Sequence, residues 1–204
     1  MRAEVMTLGT PNPRQREFLA CEKKYVAFGG ARGGGKSWAV RCKAKLLALR
    51  YAGIRILLVR RSLAELEANH LAFLRQELAD VAEYRAGERQ FRFCNGSVLQ
   101  FGYCGCDRDL DRYQGAEYDV IFLDEATQLK EQWMRQIAAC VRGVNDFPKR
   151  IYYTCNPGGP GHGYIKRLFI DRRFEGGEQP EGHALFSARG QDHPALLGTP
   201  AGLS

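Results

Sequence analysis

Gly30-Ala31-Arg32-Gly33-Gly34-Gly35-Lys36-Ser37 satisfies the pattern G-x-x-x-x-G-K-[ST]. These residue types at this spacing suit the binding of a nucleoside triphosphate. Glycines let successive backbone N–H groups converge on phosphate oxygens, Lys36 reaches the β- and γ-phosphates, and the Ser37 hydroxyl joins a Mg²⁺ ion. A flexible glycine loop is the competing reading, but the flanks favour the cradle. The apolar run Tyr25 to Phe28 predicts a strand before the loop, and Ser37 to about Arg50 predicts a helix after it, with Val40, Ala44, Leu47 and Leu49 near helical spacing. The helix N-terminus adds positive potential where the phosphates would sit.

A second constellation supplies the acids. In "DVIFLDEA" four apolar residues lead into Asp124 and Glu125, as expected of a Walker B strand. Asp124 would hold Mg²⁺ through water together with Ser37, and Glu125 would polarise the water that attacks the γ-phosphorus. Ras-like switches position that water with a Gln on a switch loop, whereas here the candidate base directly follows the metal-binding Asp. That points to a motor- or helicase-type ATPase.

Strands alternating with helices must position these groups, a pattern that predicts crossover units and a mostly parallel sheet. "IRILLV" (54–59) reads as a strand buried on both faces, and it lies in sequence between the phosphate loop and the Walker B strand as an extra strand. Ser62-Leu63-Ala64-Glu65 has the form of a capping box, after which Leu63, Leu66, Leu71, Leu74 and Leu78 mark an amphipathic helix. "QFRFCNGSVLQFGY" (90–103) alternates around Asn95-Gly96 and predicts a β-hairpin insertion. Further elements are a strand over 118–123, a helix over 131–141, a strand over 150–154, a short helix over 164–170 and a strand over 184–187.

At 204 residues, 45% apolar and 26% charged, the chain reads as one soluble globular domain over 1–190, with 191–204 beginning a linker. The net charge of +7 favours a polyanionic partner. No apolar run approaches the roughly 18 residues of a membrane span, and the first residues lack the apolar core of a signal peptide, so a cytoplasmic location without membrane contact is expected. Seven cysteines without paired CxxC spacing read as reduced thiols, and Cys94, Cys104 and Cys106 lack a fourth ligand for zinc.

Taken together, "NPRQREFL", Arg32 within the phosphate loop, "LLVRRS", "RYQGAEYDVIFLDEA" and "YYTCNPGG" resemble the ATPase domain of the tailed-phage terminase large subunit, over roughly residues 11–195. The resemblance implies a P-loop NTPase of the ASCE/RecA-like branch, a three-layer αβα fold with a mostly parallel sheet. It implies ATP and Mg²⁺ as cofactors and ATP hydrolysis that drives double-stranded DNA into a procapsid. The implied partners are DNA, a portal protein and a small terminase subunit, with the chain in a homo-oligomeric ring in the host cytoplasm. By position, Gln15 resembles the family's adenine-contacting residue, and Thr154 and Asn156 match its coupling motif. Arg112 resembles a finger inserted into a neighbour's site. Arg32 is the competing candidate in cis, and Arg60, Arg61 and Arg108 are further options. The family's nuclease domain finds no counterpart in the short stretch after Asn156, so no DNA cleavage is expected. The alternative readings are a helicase-like nucleic-acid ATPase and a nucleotide-dependent docking module with little turnover alone.

Overall fold

The computed structural model describes residues 9–30 and 34–187. Arg32 and Gly33 of the phosphate loop and the expected linker from 191 therefore lie outside the described residues.

Local sequence explains where the elements near the site begin. Asn12 caps helix α1 (Pro13–Ala20) by accepting from the Gln15 backbone N–H, the Gln15 side chain returns a bond to the Asn12 N–H, and Pro13 supplies a preset first turn. After strand β1 (Tyr25–Gly29), helix α2 (Lys36–Arg50) starts from Gly35 at φ +71°, a left-handed conformation that suits glycine. Strand β2 (Arg55–Arg60) leads to Ser62, whose hydroxyl caps helix α3 (Leu63–Leu66). A single π-helical turn (Glu67–Leu71) joins α3 to helix α4 (Ala72–Glu77). The predicted hairpin forms from β4 (Gln90–Phe93) and β5 (Val98–Tyr103), with Gly96 at φ +83° in its turn, and β3 (Ala82–Arg85) adds a third strand. A 3₁₀ segment (Asp107–Tyr113) precedes β6 (Val120–Leu123), followed by α5 (Glu131–Ala138), β7 (Arg150–Cys155), α6 (His162–Phe169) and β8 (His183–Ser187).

The strands form one sheet in the order β3-β4-β5-β2-β6-β7-β1-β8, parallel except for the β3–β4 and β4–β5 pairs. Alternation along each strand divides the core in two. Val26, Phe28, Ile56, Leu58, Val120, Phe122 and Tyr152 face α2 and the α3–α4 segment, while Ala27, Leu57, Val59, Ile121, Leu123, Ile151 and Tyr153 face α5 and α6. This is the expected three-layer αβα fold. Phe18 of α1 seals the first core by stacking on Phe28, with ring centres 4.9 Å apart.

The 54–59 strand lies between the phosphate loop and the Walker B strand in sequence, but not in the sheet. The strand inserted between β1 and the Walker B strand β6 is β7, not the 54–59 strand, which pairs on the far side of β6 as β2. Chain order does not fix sheet order, and the consequence is functional, because β7 carries Thr154 between the phosphate loop and Asp124. Leu49 and Leu63, counted above toward apolar helix faces, are exposed at the rims of their helices.

Candidate active site

Parallel sheets of this kind bind ligands beyond the carboxyl ends of their strands. There, Gly34, Gly35, Lys36, Ser37, Trp38, Asn69, Asp124, Glu125, Thr154 and Asn156 line a cavity of about 350 Å³. Four separate stretches of chain thus converge on one place. Lys36 opens α2 and is buried, with its ammonium donating to the Gly30 carbonyl at 2.9 Å. Gly35 leaves no room for a side chain, since a Cβ there would run into the Gln15 amide. Gln15 itself is buried against the loop and donates from Nε2 to the Gly35 carbonyl at 3.2 Å, while its Oε1 accepts from Asn12. The amide is therefore occupied by the helix cap and by the phosphate loop.

Asp124 directly follows β6 and is almost wholly buried. Its Oδ1 accepts from the Thr154 hydroxyl at 2.6 Å, and its Oδ2 lies 2.8 Å from His70 Nε2 and 3.1 Å from Arg60 Nη1. Burial works against ionisation of Asp124, but the charge and hydrogen bond of His70, the Arg60 guanidinium and the Thr154 hydroxyl outweigh it and hold the carboxyl at about 2. Asp124 is a fixed anion at neutral pH. Glu125, next in the chain, adopts φ +51° and ψ +47°, a left-handed conformation uncommon for a residue with a side chain and often found at functional sites. The Thr154 hydroxyl holds this turn by accepting from the Glu125 backbone N–H at 2.8 Å. The Glu125 carboxylate meets Arg60 Nη2 at 2.9 Å and Asn156 Nδ2 at 3.4 Å.

The structure therefore brings together Gly30, Gly34, Gly35, Lys36, Ser37, Asp124, Glu125, Thr154 and Asn156, with Gln15 behind the loop. Arg112 is not with them. It lies on the 3₁₀ segment, paired with Asp109 at 3.0 Å and over the Tyr103 ring at 4.0 Å. Arg61 and Arg108 are exposed. Arg60, by contrast, is buried at the end of β2 and touches both acids. His70 and Asn69 escaped the sequence reading altogether, because they come from the π turn.

The sequence family described as the phage terminase large subunit matches residues 22–182. The chain belongs to this family. Its terminase fold is likewise similar to solved structures at low sequence identity. The large terminase of a thermophilic bacteriophage superposes with a TM-score of 0.67 at 15% identity, covering 92% of this chain and 47% of that one. The large terminase ATPase domain of Thermus phage P74-26 gives 0.61 at 15% identity, covering 87% and 80%. The N-terminal domain of the DNA packaging ATPase of bacteriophage phi29 gives 0.59 at 18% identity, covering 87% and 95%. No curated protein matches the chain. The chain spans about half the length of the thermophilic-phage large terminase.

Proposed function

We propose that this terminase domain hydrolyses ATP to move double-stranded DNA into a procapsid. The observation that carries the reading is the convergence of Lys36, Asp124 and Glu125 on one cavity beyond the carboxyl ends of β1, β6 and β7. Two of the matched structures of the thermophilic-phage large terminase hold ADP and ATP-γ-S, which supports a nucleotide as the ligand.

In this reading the phosphates lie on the backbone N–H groups of the glycine loop and at the N-terminus of α2, with Lys36 turning from the Gly30 carbonyl toward them. The ionised, buried Asp124 and the Ser37 hydroxyl suit a Mg²⁺ ion, which would neutralise charge on the β- and γ-phosphates. Among the described residues no group of three or more His, Cys, Asp or Glu side chains could hold a metal unaided. Glu125 takes the proton of the attacking water, and Asn156 and Thr154, at the end of β7, relate the state of the γ-phosphate to the rest of the sheet. Gln15 contacts the adenine once its amide leaves the Gly35 carbonyl.

Arg112 lies outside this cavity, against Asp109 and Tyr103, and serves a neighbouring subunit in a ring, with Arg32 as the candidate in cis; either guanidinium would stabilise charge on the transferring phosphoryl group. DNA is held through its phosphates, since packaging ignores sequence. The portal protein and the small terminase subunit complete the machine in the host cytoplasm. DNA cleavage is not assigned to these residues. Steady-state ATP turnover with and without double-stranded DNA tests the reading: turnover stimulated by DNA is expected, and its absence even with portal and small subunit present would contradict a motor.

A further inference from the structure

Consecutive residues of the π turn (Glu67–Leu71) are tied to the two stretches of chain that carry Ser37 and Asp124. Asn69 is held from α2, because its carbonyl accepts from Arg41 Nη1 at 2.7 Å. Ser37 and Arg41 are four residues apart on that helix and share a face, so the bond sets Asn69 beside the turn that carries Ser37. His70, next in the chain, is wholly buried, with Nε2 2.8 Å from Asp124 Oδ2. Asn69 is thereby fixed between the two, and it lines the cavity together with Ser37 and Asp124.

The hydrogen-bond network also assigns the orientation of the Asn69 amide. Its Nδ2 donates to the Glu65 carbonyl at 2.7 Å. A flipped amide would set two acceptors against each other, so the nitrogen belongs on the side of Glu65. Oδ1 is the atom left over, and it makes no hydrogen bond among the described residues. A cavity lined by a phosphate loop and a buried carboxylate thus also holds a neutral, unengaged acceptor.

An Mg²⁺ ion prefers six oxygens, keeps several waters and takes few ligands from protein. Ser37 and Asp124 suit that chemistry, and an uncharged amide oxygen beside them suits a hydration water, since it accepts a hydrogen bond without adding charge. We propose that Asn69 is a positioning residue of the Mg²⁺–nucleotide site, its Oδ1 accepting a hydrogen bond from the ion's hydration water. The proposal rests on the reading of Ser37 and Asp124 as the pair that holds Mg²⁺. A side chain that only tied its own helix together would use Nδ2 alone, and its Oδ1 would have no role.

Equilibrium binding of ATP-γ-S to the intact chain, titrated with Mg²⁺ and repeated in EDTA, tests this without turnover. Asn69→Ala is expected to raise the half-saturating Mg²⁺ about tenfold, while affinity in EDTA stays within about twofold of wild type. Asn69→Asp keeps an oxygen there and adds charge, so its Mg²⁺ requirement is expected at or below that of wild type. An unchanged Mg²⁺ requirement in Asn69→Ala, a loss of equal size with and without Mg²⁺, or a requirement in Asn69→Asp as high as in Asn69→Ala overturns the proposal. Wild-type binding that ignores Mg²⁺ altogether removes the reading of Ser37 and Asp124 and the proposal with it. A crystal structure with ATP-γ-S and Mg²⁺ supplies the second arm: Oδ1 within about 3.2 Å of a water bound to the ion is expected, and Oδ1 beyond about 3.5 Å of every such water overturns the proposal.

Discussion

At the residue scale, the site is organised around one buried anion. Asp124 has its oxygens engaged by Thr154, His70 and Arg60, so its charge is compensated before any ligand arrives. This has a stability signature. The folded carboxyl titrates at about 2 rather than the ordinary 3.8, so the unfolded chain binds the proton more readily, and Asp124 contributes stability in full above the ordinary value. That contribution is lost as pH falls from about 4 through 2. Urea midpoints measured at pH 6 and pH 3 should therefore drop in the wild type and drop less in Asp124→Asn. Equal drops would mean that the buried cluster does not hold the charge as described. The acids themselves were legible in sequence, since an apolar strand ending in Asp-Glu has few other uses beside a phosphate loop. Arg60 carried the same signal at the end of β2, a charge closing an apolar run, but nothing in the sequence indicated that it would face Asp124 and Glu125.

At the element scale, what was hidden is largely one extra residue. The leucines at 63, 66, 71, 74 and 78 are spaced by three or four except between Leu66 and Leu71, where the gap is five. The π turn spans that gap, keeping both leucines in the core while delivering His70 to Asp124 and Asn69 to the cavity. Single inserted turns of this kind occur often at functional sites. Other elements make checkable demands. Gly159 follows β7 at φ +95°, and a Cβ there would collide with the Thr127 carbonyl, so the turn that carries Asn156 packs directly on the segment after Glu125. Gly159→Ala should cost about 1–3 kcal/mol in chemical denaturation through strain and overlap, and a cost under about 0.5 kcal/mol would contradict that packing.

Lys43 of α2 is buried beneath the end of α1, donating to the carbonyls of Leu19 and Cys21. Burial and the nearby Arg150 charge push its ammonium down to about 8 from 10.5. The unfolded chain then binds more protons between these values, so Lys43 penalises folding below about pH 8 and the penalty fades as pH rises toward 10.5. Melting temperatures should show a Lys43-dependent gain between pH 8 and 10 that Lys43→Met lacks. An identical pH response in both proteins would place Lys43 in water instead.

At the scale of the whole molecule, the fold follows from alternation within strands, which gives each buried strand a residue set for both cores and so demands helices on both faces of the sheet. Element types and most boundaries were readable from periodicity. Sheet order was not, because the insertion of β7 between β1 and β6 depends on long-range pairing that leaves no local mark. In the proposed reading, three chemical functions fall on adjacent strand ends: phosphate binding after β1, γ-phosphate sensing after β7, and metal and base after β6. That reading makes hydrolysis and binding separable in one side chain. Replacing Glu125 by Gln and measuring ATP-γ-S affinity alongside ATP turnover tests this most directly. Affinity within about twofold of wild type, with turnover reduced at least about 100-fold, is the predicted result; turnover at the wild-type rate would contradict the account.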